Sequence, residues 1–202
     1  MLSPKARYER DLTREDFHYD PAQAMAVDHL QVLYESLVER WDEDRARADS
    51  FFNKLGLRKT PKFRDPVRGL YFWGGVGRGK TYLMDNFFES LPFSQKLRSH
   101  FHRFMRRVHN ALKTLDGHKN PLKVVADRIA SEARVICFDE FFVSDIADAM
   151  ILGTLMQELF ARGVTLVATS NIVPSGLYKD GLQRSRFLPA IALLEKHTLV
   201  VN

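Results

Sequence analysis

The chain reads as an α/β protein built on a parallel sheet of about five strands flanked by helices, with an amphipathic helix ahead of it. Three observations predict this. Short apolar runs (Leu70-Tyr71-Phe72-Trp73, Val135-Ile136-Cys137-Phe138 and Val164-Thr165-Leu166-Val167-Ala168-Thr169) alternate with stretches of helical period. A glycine-rich segment, Gly74-Gly75-Val76-Gly77-Arg78-Gly79-Lys80-Thr81, joins the first run to a helix-like stretch. The second run ends in paired carboxylates, Asp139-Glu140.

Taken in order, Met1 to Tyr19 is charged and aperiodic and is expected to be a poorly ordered lead-in. Asp20 can cap a helix whose first turn suits Pro21, and Met25, Leu30, Leu33, Leu37 and Trp41 fall along one face, so a helix to about Arg47 is expected. Asp49 to Arg68 loses that period and carries Gly56, Pro61 and Pro66, as a linker would. Strands are expected over Gly69–Trp73, Lys96–His102, Arg134–Phe138, Val164–Thr169 and Thr198–Val201. Helices are expected over Tyr82–Ser90, Met105–Leu115, Leu122–Ser131 and Asp145–Arg162. This divides the chain into an N-terminal part, 1–68, and a core, 69–202.

At 202 residues and 45% hydrophobic, the chain has enough apolar material for one sizeable core. A net charge of +5 and a pI near 9.4 suit phosphate ligands without implying nucleic acid or membrane. No apolar run approaches a membrane span, and Met1–Arg10 does not resemble a leader. Cys137 stands alone, which excludes a disulfide framework and suits a reducing, cytoplasmic setting. Peripheral association with a membrane through basic patches stays open.

The glycine-rich segment has the G-x-x-x-x-G-K-[ST] spelling of a phosphate loop, with a strand before it and a helix after. Glycines let backbone N–H groups turn inward as a nest for phosphate oxygens, and a helix N-terminus adds partial positive charge. Lys80 is expected to reach the β- and γ-phosphates of ATP and the Thr81 hydroxyl to ligate Mg2+, with Gly74 through Tyr82 forming the cradle. Strand ends on a parallel sheet share one rim, so Asp139 is placed to hold Mg2+ through its water shell and Glu140 to activate the attacking water. Asn171, and less so Ser170, ends the next strand and can sense the γ-phosphate. Arg184 and Arg186 have no obvious local acidic partner, yet spacing alone leaves them ordinary surface arginines.

Together these motifs resemble the ZapE family of AAA+ ATPases, cell-division-associated proteins with mitochondrial relatives. The residues that carry the resemblance are Arg68–Asp85, His100–His109 (HFHRFMRRVH), Cys137–Met150 (CFDEFFVSDIADAM) and Leu166–Ile191, with ATSN and GLQR-x-x-F inside the last. The resemblance implies an AAA+ core that hydrolyses ATP with Mg2+ to regulate a protein partner, the tubulin-like division-ring protein FtsZ. It assigns Lys80 and Thr81 to the nucleotide loop, Asp139 and Glu140 to the metal and water-activating pair, and Asn171 to the sensor. Arg184 matches the arginine of the GLQR motif and would act in trans on a neighbouring copy in a homo-oligomer. Members of the family continue into a helical lid, which the resemblance implies is absent from this chain, with slow turnover as the consequence.

Rival readings are a nucleic-acid-handling ATPase of the helicase-loader type and a nucleotide-gated binding module without significant turnover. The basic cluster Lys96, Arg98, Arg103, Arg106 and Arg107, interleaved with Phe101 and Phe104, suits the first, although apolar residues facing a core explain it better. A zinc site at His100, His102 and His109 is disfavoured because no cysteine or carboxylate stands at ligand spacing. Gln23 is equally readable as an adenine contact or a solvent-facing amide. Phe141-Phe142-Val143 reads either as packing beneath the next helix or as a surface for a protein client.

Overall fold

Five strands pair side by side, all parallel, in the order β2-β3-β4-β1-β5. They are β1 (Gly69–Trp73), β2 (Lys96–His100), β3 (Val135–Asp139), β4 (Thr165–Ser170) and β5 (Thr198–Val201). The structure is a computed structural model and describes residues 2–55 and 64–202. Parallel neighbours need a crossover, and helices supply each one: α3 (Lys80–Ser90), α4 (Phe101–Lys113) with α5 (Pro121–Glu132), α6 (Ile146–Ala161) and α7 (Leu188–His197). Two N-terminal helices, α1 (Pro4–Asp11) and α2 (Pro21–Leu55), precede the sheet.

Strands β1, β3 and β4 carry apolar side chains to both faces of the sheet, as covered parallel strands do. Tyr71, Ile136, Phe138, Leu166 and Ala168 point into a core under α4, α5, α6 and α7. Leu70, Phe72, Val135, Cys137 and Val167 point the other way, into a core built with α1, α2 and α3. Alternation along each strand delivers these two sets, and burial pushes the Cys137 thiol up to about 12, leaving it a neutral packing group. Gly69 allows β1 to lie close to β4, since a Cβ there would stand 1.7 Å from the carbonyl oxygen of Leu166.

Several expected boundaries shift for identifiable reasons. Met1 to Tyr19 is not a poorly ordered lead-in: it contains α1, whose N-terminus is capped by Ser3 accepting from the Ala6 N–H, with Pro4 in the first turn. Tyr8, 4% exposed, anchors α1 against Tyr82 and Phe17, and Asn86 of α3 donates to the Pro4 carbonyl at 3.1 Å. Helix α2 runs on to Leu55 because no glycine or proline interrupts the sequence before Gly56. Its buried stripe is Ala26, Val27, Leu30, Leu33 and Leu37, whereas Met25 is exposed. Of the rest of the expected linker, which runs to Arg68, residues 56–63 lie outside the described residues and 64–68 form neither helix nor strand.

Strand β2 stops at His100 rather than His102, and α4 starts at once with Phe101. The reason is a helical period that begins there: Phe101, Phe104, Met105 and Val108 are all buried on one face. Helix α7 has no counterpart in the sequence reading. Pro189 opens it, and Ala190, Ile191 and Leu194 form its buried stripe.

Replacing Tyr8 by alanine should lower stability by about 3 kcal/mol, as expected for deleting a buried aromatic. Urea unfolding measures it, and an unchanged midpoint would mean that α1 contributes nothing to the fold.

Candidate functional site

The pairing register places the carboxyl ends of β1, β3 and β4 at one rim. Trp73 lies opposite Ser170, and Phe138 opposite Ala168. The segment from Gly74 to Gly79 leaves β1 at that rim and turns into α3. Gly79 is the helix N-cap, with φ 71° and no side-chain cap. That left-handed backbone favours glycine. The first intrahelical bond is from the Leu83 N–H to the Gly79 carbonyl, 3.0 Å, so the N–H groups of Lys80, Thr81 and Tyr82 have no helical acceptor. These donors and the positive end of an 11-residue helix face the loop.

Lys80 sits in this loop with its ammonium held by neutral oxygens. Nζ donates to the Gly74 carbonyl (2.6 Å), the Gly75 carbonyl (2.9 Å) and Asn171 Oδ1 (2.9 Å). Among the described residues it forms no ion pair with a carboxylate. Burial holds its pKa below the usual lysine range, and the charge of Arg78 pushes the same way. A cation already disfavoured by its surroundings gains most from an arriving anion. Asn171 is exposed at the end of β4, whereas Ser170 is buried and donates to the Phe141 carbonyl at 2.7 Å. Of the two, Asn171 is the one that touches Lys80.

Asp139 ends β3, and its side chain is 14% exposed. Both its oxygens accept from Arg98, Oδ2 from Nε at 2.8 Å and Oδ1 from Nη2 at 3.3 Å, and the Arg98 Nη1 reaches Asp85 of α3. Glu140 follows in a left-handed conformation, φ 54°, its N–H within 3.4 Å of Thr169 Oγ1 and its side chain exposed with no ion-pair partner among the described residues. Non-glycine residues held there cost of order 1–3 kcal/mol and cluster at functional positions. The turn separates the two carboxylates, one tied to β2 and the other free at the rim.

The residues fit a triphosphate with a hard divalent cation. Gly75 and Gly77 have nothing within 4 Å of where a Cβ would stand, Thr81 is exposed, and Thr81 and Asp139 offer the oxygen donors that Mg2+ prefers. Gln23, at the start of α2, lies against the loop: a Cβ on Gly79 would meet its Nε2 at 2.5 Å, while its Oε1 is buried without a hydrogen-bond partner among the described residues. It is therefore not simply a solvent-facing amide. Tyr82 turns away, its hydroxyl donating to Asp11 Oδ2 at 2.9 Å, so only its backbone faces the loop.

Arg184 lies in a short 3-10 turn, Arg184–Arg186, and donates through Nη2 to the Ser175 carbonyl at 2.8 Å. No hydrogen bond joins it to Lys80, Asp139, Glu140 or Asn171. Arg186 is exposed, and among the described residues neither arginine forms an ion pair.

The basic-aromatic cluster disperses. Phe101 and Phe104 are buried, Lys96 donates to the Phe88 and Leu91 carbonyls, and Arg107 pairs with Glu132, which leaves Arg103 and Arg106 exposed. His100 and His102 do not share a strand face, although their rings stack at 5.9 Å, and His109 Nε2 is 2.6 Å from Asp148 Oδ1. Phe141 and Val143 are buried while Phe142 is 54% exposed. The sequence reading placed Arg98 in the basic cluster and missed its bond to Asp139, which follows only once β2 is known to neighbour β3.

This strand order, with a glycine-rich loop leaving β1 and an acidic pair ending β3, is the core of the AAA+ class of P-loop ATPases. Solved structures share the fold: the DnaC helicase loader superposes with a TM-score of 0.58 at 13% identity, covering 97% of this chain and 99% of that one. AMPPCP-bound DnaA from Aquifex aeolicus gives 0.57 at 13% identity, over 93% of this chain and 49% of that one. The chain belongs to the AFG1-like ATPase family, whose model matches residues 2–202. It is 51% identical to the cell division protein ZapE of Escherichia coli K12 over 100% of this chain and 54% of that protein. The chain thus spans about half the length of that relative.

Replacing Glu140 by glycine relieves the left-handed backbone and should raise stability by about 1 kcal/mol, against the usual cost of a glycine. A lowered urea midpoint would mean that the Glu140 side chain supports the fold.

Proposed function

We propose that this chain binds ATP with Mg2+ at the rim of its sheet and hydrolyses it, in the service of a protein partner in cell division. The observation that carries the reading is Lys80, an ammonium surrounded by three neutral oxygens at an uncapped helix N-terminus. Lys80 would exchange these contacts for the β- and γ-phosphates, and the free N–H groups of the loop and of early α3 would hold the remaining phosphate oxygens. Thr81 and Asp139 would hold Mg2+, which when bound offsets charge on the phosphate oxygens.

Glu140 is the base in this reading. Its exposed carboxylate would accept a proton from the attacking water, and the Asp139 carboxylate, turned to Arg98, would not compete for it. Asn171 touches Lys80 and would register whether a γ-phosphate is present. Arg184 would act on the γ-phosphate bound by a neighbouring copy, since it touches none of these residues in its own chain.

The partner is proposed from the family: the relative's name ties it to cell division, and the resemblance points to FtsZ, met in the cytoplasm or at the inner face of the membrane. No helix among the described residues is long and apolar enough to cross a membrane.

Single-turnover hydrolysis tests the chemistry. Glu140→Gln should retain ATP binding and slow hydrolysis by about 10²–10⁴-fold, the usual worth of a positioned base. An unchanged rate would favour a nucleotide-gated module in which turnover is incidental. Arg184→Ala should leave binding intact and lower steady-state hydrolysis by about 10³-fold or more. Equal loss of binding and turnover would make it a structural arginine.

A further inference from the structure

Arg98 is half-way along the edge strand β2, in register with Cys137 of β3. Side chains two residues apart on neighbouring parallel strands share a face, so Arg98 can reach Asp139, and that face is the one covered by α3. Its guanidinium makes a two-point contact with the Asp139 carboxylate, at 2.8 and 3.3 Å, and an end-on contact with Asp85. Asp85 lies one turn beyond Thr81 on α3. One planar cation therefore joins the helix that begins with Lys80 and Thr81 to the strand that ends in Asp139.

Arg98 and Asp139 are mostly buried, with side chains 21% and 14% exposed, so the contact is shielded from solvent more than an ordinary surface pair. A carboxylate has about four lone-pair positions on its two oxygens, and the fork of Arg98 occupies one on each. What remains of Asp139 has a fixed direction. A lysine would preserve the positive charge but not this planar, two-point geometry.

We infer that Arg98 is a positioning residue for the cation: it sets the orientation of Asp139 and, through Asp85, its separation from Thr81. The inference rests on the reading above in which Asp139 serves Mg2+. Arg98 itself touches neither nucleotide nor metal in this account. Its effect is felt through Asp139, in how strongly Mg2+ promotes nucleotide binding.

The test measures the dissociation constant of a fluorescent ATP analogue with Mg2+ and with EDTA, and takes the ratio of the two as the metal coupling. Arg98→Lys should reduce that ratio about tenfold or more, the usual effect of losing an outer-shell partner, with the EDTA affinity unchanged. Wild-type coupling in Arg98→Lys would overturn the proposal, as would an equal loss of affinity with and without metal. Should Arg98→Lys fail to fold, Asp85→Asn at the exposed end of the contact decides: a reduced ratio supports the proposal and an unchanged one overturns it. Asp139→Asn separates the two readings. If it leaves the coupling intact, the cation assignment itself fails. If it abolishes coupling while Arg98→Lys does not, only the role of Arg98 fails.

Discussion

The parallel register of β3, β4 and β1 is the constraint on which the rest depends. Leu70 opposite Val167 and Val135 opposite Thr165 set where each strand ends, and so bring the loop after β1, the acidic pair after β3 and Asn171 after β4 to one rim. A slip of one residue in any of these strands would exchange its two faces and send its side chains into the opposite core. Two dense apolar layers oppose such a slip. Tyr71 and Phe72 are buried on opposite sides of the sheet, as are Cys137 and Phe138. Hydrophobic burial that is non-directional in itself thereby fixes polar geometry at the rim.

Around that frame, the contacts at the site are polar and few. Lys80 joins the loop to β4 through Asn171, and Arg98 joins β2, β3 and α3 through two carboxylates. The two cations differ in their surroundings. Arg98 is neutralised by Asp85 and Asp139 and suits a permanent structural contact. Among the described residues Lys80 has only neutral acceptors, and it is the group with most to gain from an anion. The same contrast separates Asp139, held by an arginine, from Glu140, held in a left-handed turn with its carboxylate exposed and without an ion-pair partner among the described residues.

The strands and most helices were legible because their periods are local. The strands Gly69–Trp73 and Thr198–Val201 have the expected limits, and the phosphate loop is spelled by its own residues. What escaped was either masked by charge or non-local. In α1, one buried aromatic, Tyr8, sits among charged residues that gave no period, and α4 was entered late because its apolar stripe starts inside a segment that also suited a strand. The Lys80–Asn171 and Arg98–Asp139 contacts span 91 and 41 residues, and they exist because β1 neighbours β4 and β2 neighbours β3. No spacing rule within the chain contains that adjacency.

Titration calorimetry of ATP into the folded chain with Mg2+ present, set beside the same titration of Lys80→Ala, tests the central claim most directly. Saturable binding near one ATP per chain that is lost in the variant is the predicted result. No heat of binding to well-folded protein, or equal binding by the variant, would contradict a triphosphate site at this rim.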